Sequence, residues 1–71
     1  MSTRITTTET EKYLATVRHY AKEEEYVLKI LEIDTAKVII AAAFVNLNDA
    51  LKASELIMAG LALLEKQTES N

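Results

Sequence analysis

Residues 36–66 run for 31 positions without a proline and with one glycine, Gly60, so nothing in them forces the backbone to stop. The stretch predicts one long helix. On a 3.6-residue period, Ile40, Phe44, Leu47, Leu51, Ser54, Met58 and Leu61 form a strip with alternating spacings of 4 and 3, the seam against which a partner helix packs. Both ends of the stretch, 38–45 and 56–64, are apolar nearly all round, and such a helix must be covered from more than one direction. The rival reading takes 38–45, which opens Val-Ile-Ile, as a buried strand in an α/β fold. Three consecutive alanines, and no turn signal before the residues that follow, favour the helix.

The first half carries a second helical pattern. Thr8 and Glu11 have the spacing of a capping box, which starts a helix near Thr8. Its apolar stripe is Leu14, Val17, Ala21, Leu28 and Leu31, with Arg18, Lys22, Glu25, Lys29 and Glu32 on the opposite side. Tyr26, Ile30 and Ile33 fall outside that stripe and are read as a second, partner-facing surface. Asp34 and Thr35 are the only break, and Asp34 suits the N-cap of the helix that follows. A short connection between long helices makes them antiparallel neighbours. The expected fold is therefore all-α: a flexible arm at 1–7, a helical hairpin at 8–66 and a frayed tail at 67–71.

Size then argues for assembly. A 71-residue chain buries only about 60 % of its unfolded surface and needs a staple, and with no cysteine that staple is oligomerisation. The expectation is a homodimer, or a higher homo-oligomer, in which two hairpins form a four-helix bundle with coiled-coil packing. Its interface would use Leu14, Val17, Leu28, Leu31, Ile40, Phe44, Leu47, Leu51, Met58 and Leu61. The net charge of −3 is spread along the chain, with five basic against seven acidic residues in 1–35 and three against four in 36–71. Such a balance disfavours nucleic-acid and anionic-membrane partners. The longest apolar runs fall well short of the roughly 18 to 20 residues that span a bilayer, and a cytoplasmic location is expected.

Candidate chemistry is sparse. His19, the only histidine, shares a helix face with Glu23, yet nothing adds the further ligands a metal needs, and the pair reads as solvated. Glu23, Glu24 and Glu25 would point in three directions from a helix and do not converge. Asn46, close to the packing seam, is either a register-fixing buried amide or an exposed one without a role. No catalytic residue, metal site or cofactor is assigned.

The order of features resembles a known family. A polar arm, a helix from Glu11-Lys12-Tyr13-Leu14 carrying Val17, Tyr20 and Ala21, an Asp34 cap, and Lys37 through Ala43 and Asp49 to Lys52 and Glu55 look like the ZapA family of bacterial cell-division proteins. The resemblance implies a helical dimer that cross-links filaments of the tubulin-like protein FtsZ. The expected function is a noncatalytic assembly or adaptor protein acting through protein–protein contacts. The alternative is a small nucleic-acid-associated regulator of phages or mobile elements, using Arg4, Arg18 and Lys22.

Overall fold

A computed structural model describes residues 2–69. Four strands, β1 (Ser2–Glu9), β2 (Tyr13–Tyr20), β3 (Glu25–Glu32) and β4 (Lys37–Phe44), are followed by one helix, α1 (Leu47–Glu69). The strands form an antiparallel meander in the order β1-β2-β3-β4. This corrects the all-α reading. There is no helical hairpin in 8–66, and a chain with one helix does not build the expected four-helix bundle or coiled coil from paired hairpins. The strand weighed as the alternative for 38–45 corresponds to β4. Of the arm expected at 1–7, residues 2–7 belong to β1; of the tail at 67–71, residues 67–69 continue α1; residues 1, 70 and 71 lie outside the described residues.

Alternation explains the sheet. Ala15 and Val17 of β2 stand opposite Ile30 and Leu28 of β3, and all four are buried beneath α1 together with Ala50 and Met58 of the helix. Ile40 and Phe44 of β4, placed opposite Ile30 and Tyr26, extend this layer. Burial of Val17, Leu28 and Ile30 contributes about 1.5–3 kcal/mol each. The other face of the sheet carries Thr7, Leu14, Thr16, Arg18, Val27, Lys29, Leu31, Val38, Ala41 and Ala43, and no element among the described residues covers it. Ile5 and Ile39 sit in two register shifts, one in each edge strand.

The hairpin connections carry no glycine. Both 21–24 and 33–36 are four-residue links, and each ends on a residue in the left-handed region, Glu24 at φ 52° and Ala36 at φ 57°. Left-handed backbone costs a residue with a Cβ roughly 1–2 kcal/mol. Thr35 steadies the second link: its hydroxyl donates to Glu32 Oε1 at 3.0 Å and accepts from the Lys37 amide at 3.3 Å. Ala36→Gly is expected to raise stability by about 0.5 kcal/mol after the added freedom of the unfolded chain is subtracted. A thermal midpoint a few degrees higher is the readout.

After β4 the chain turns at Val45 into α1. Asn46 is its N-cap: Oδ1 accepts from the Asn48 amide at 2.8 Å, and the Asn46 carbonyl accepts from the Ala50 amide at 3.2 Å. Asp49 lies in the first turn, where its carboxylate faces the positive end of the helix. Asn46 is thus exposed and starts the helix rather than fixing a register within one.

Candidate functional site

The helix packs on β2, β3 and β4, and a cleft separates it from β1. Alternation sets the outer wall, where Thr6, Thr8 and Thr10 recur at every second position, and Leu51, Ser54, Glu55, Met58 and Ala59 of α1 complete a cleft of about 520 Å³. One end is pinned by Glu65, whose Oε1 accepts from the Thr10 hydroxyl at 2.8 Å and from the Lys12 amide at 3.1 Å. The Thr10 hydroxyl oxygen in turn accepts from the Tyr13 amide at 3.1 Å. A glutamate from the far end of the helix thereby fixes the β1–β2 turn. Among the lining residues Glu55 is the only titratable group, beside the hydroxyls of Thr6, Thr8, Thr10 and Ser54 and the apolar surface of Leu51, Met58 and Ala59.

Large apolar side chains remain in water on three sides. Val45 is 88 % exposed, Leu56 73 %, Leu63 60 % and Leu64 57 %. Val38 and Ile39 are exposed on β4 and Ile5 on β1, so the apolar exposure reaches both edge strands as well as the outer side of α1. The uncovered sheet face also holds charge. Arg4 and Arg18 are directly opposite one another, and Lys29 follows on the same face beside Thr16.

The residues expected at an oligomer interface are divided by this fold. Val17, Leu28 and Met58 are buried within the single chain, and Ile40, Phe44, Leu47, Leu51 and Leu61 pack against that core. Leu14 and Leu31, opposite one another, lie on the uncovered face. Tyr26, Ile30 and Ile33 do not form one surface: Ile30 is buried, Tyr26 packs against the core, and Ile33 lies in the β3–β4 link with its amide donating to the Lys12 carbonyl at 2.9 Å. His19 stacks on Tyr26, ring centroids 4.6 Å apart, while Glu23 is in the β2–β3 turn. Among the described residues no group of three or more His, Cys, Asp or Glu is placed to hold a metal, and no helix is long and apolar enough to cross a membrane.

Sequence reasoning missed the cleft, although the alternation of Thr6, Thr8 and Thr10 was its visible signal. Residues 11–56, over which the resemblance to the ZapA family runs, contain β2, β3, β4 and only the first part of α1. Comparison of the chain with protein-family models, with characterised proteins and with solved structures gave no match.

Proposed function

We propose that this chain is a noncatalytic assembly module that acts as a homo-oligomer, its working surface formed when copies come together. The observation that carries this reading is unburied apolar surface. A folded 7.9 kDa monomer exposes about 4,400 Å². This chain exposes 5115 Å², and its radius of gyration, 12.9 Å, exceeds the roughly 11 Å of a compact domain of this length. Large apolar side chains stay in water at Ile5, Val38 and Ile39 of the two edge strands, at Val45, and at Leu56, Leu63 and Leu64 of α1. Light scattering across a dilution series tests the reading. A mass of at least two 7.9 kDa chains that falls on dilution is expected, and a single-chain mass up to millimolar concentration overturns it.

One observation favours a second reading, a nucleic-acid-associated regulator. Arg4 and Arg18 are opposite one another across β1 and β2, and Lys29 shares their face, so three cationic side chains gather on it. The net charge of −3 opposes it. A salt-sensitive duplex shift that Arg18→Glu abolishes would support this reading, and no shift at low salt would end it.

A further inference from the structure

We infer that β4 is the pairing edge through which a second copy of this chain joins, antiparallel and about a two-fold axis near Ile40 and Ala41, to give a continuous sheet of eight strands. This rests on the homo-oligomeric reading above and names the surface it uses.

The two edges of the sheet are not alike. An edge strand leaves every second residue's amide and carbonyl without a ladder partner, and chains guard such edges with charges, proline, short strands or bulges. β1 carries Arg4 and Glu9 along its length and a register shift at Ile5. β4 is eight residues long, Lys-Val-Ile-Ile-Ala-Ala-Ala-Phe, with no proline and one charge at its very start. Val38 is 47 % exposed and Ile39 40 %, and Val45 beyond them is the most exposed large apolar residue among those described. Apart from Lys37 at its start, the guard on β4 is the register shift at Ile39.

A second copy fits this edge on two counts. Antiparallel pairing about the middle of β4 sets Ile40 and Ala41 near the axis and brings no two charges together, because Lys37 of each copy falls beside Phe44 and Val45 of the other. The chain as a whole exposes about 700 Å² more than a compact monomer of its mass, where a standard interface removes about 800 Å² from each partner, and Val38 and Ile39 of β4 and Val45 just beyond it are among the exposed apolar residues, with Leu56, Leu63 and Leu64 on α1.

The test is sedimentation equilibrium of the full chain with three variants. In one copy Glu at position 41 lies opposite Lys29, an attractive cross-strand pair, so Ala41→Glu suits the folded monomer; at the axis of a dimer it sets two carboxylates side by side. Ala43→Glu, opposite Val27, is the second strand variant, and Leu63→Glu on the outer side of α1 is the control. Expected are a dissociation constant raised at least about thirtyfold by each strand variant, an unchanged far-UV spectrum at monomeric dilution, and less than about a threefold change for Leu63→Glu. Dissociation by Leu63→Glu with the strand variants still dimeric would overturn the β4 assignment and leave the homo-oligomeric reading standing. A wild-type chain that is monomeric throughout would remove that reading, and the β4 assignment with it.

Discussion

Leu28→Ala is expected to destroy most of the stability of this fold. Leu28 is fully buried in the middle of β3, opposite Val17 on one side and Ala42 on the other, with α1 above it. Truncating such a leucine costs about 2–5 kcal/mol, the loss of transfer free energy plus that of the cavity left behind. A chain of this size holds only about 3–5 kcal/mol from its core, so the variant should show little cooperative unfolding at 25 °C. Val27→Ala, one residue earlier and on the uncovered face, is expected to cost less than about 1 kcal/mol. Denaturant titrations of the two variants read the difference directly. Similar losses at 27 and 28 would mean that the alternation of the strand does not divide an inside from an outside.

The second large effect is on the helix. Met58 is 4 % exposed and Leu56, two residues away, is 73 % exposed. Met58→Ala should cost about 2–5 kcal/mol, because the side chain fills space between α1 and the sheet. Leu56→Ala should stay within about 0.5 kcal/mol when measured at monomeric dilution, and could gain slightly from the helix propensity of alanine. Thermal unfolding at a single low concentration separates the two, with a shift above about 10 °C for Met58→Ala and little for Leu56→Ala. Equal costs would place both residues in the core and contradict a single helix lying on one face of a sheet.

Of the helix expected over 36–66, the part from Leu47 is α1, and it is legible because its strip of Leu47, Leu51, Ser54, Met58 and Leu61 keeps one helical period. The strands were hidden for physical reasons. Turns are usually marked by glycine, asparagine or proline, and here the left-handed positions are held by Glu24 and Ala36, so the punctuation between β2, β3 and β4 is missing. Both faces of β2 and β3 carry apolar residues, Leu14, Val27 and Leu31 on one side and Ala15, Val17, Leu28 and Ile30 on the other, which blurs a period of two. Leu14, Val17, Ala21, Leu28 and Leu31 then fall by coincidence on a helical spacing. In β4 the weight given to Ala41, Ala42 and Ala43 outran that of Val38, Ile39 and Ile40, although the β-branched residues set the outcome beside β3. Asn46 falls inside a helix when 36–66 is taken as one element; with β4 ending at Phe44 it stands just before the helical strip and carries an N-cap signature. The cleft depends on Thr10 meeting Glu65 across 55 positions of sequence, a contact that no local pattern reports.

Self-association of a sheet with one helix is the central claim, and amide hydrogen exchange across a dilution series tests it most directly. Slow exchange in β2 and β3 at every concentration, with protection in 37–44 that rises as copies pair, is the expected result. Protection that is the same at all concentrations, with β4 exchanging as fast as the turns at 21–24 and 33–36, would contradict it.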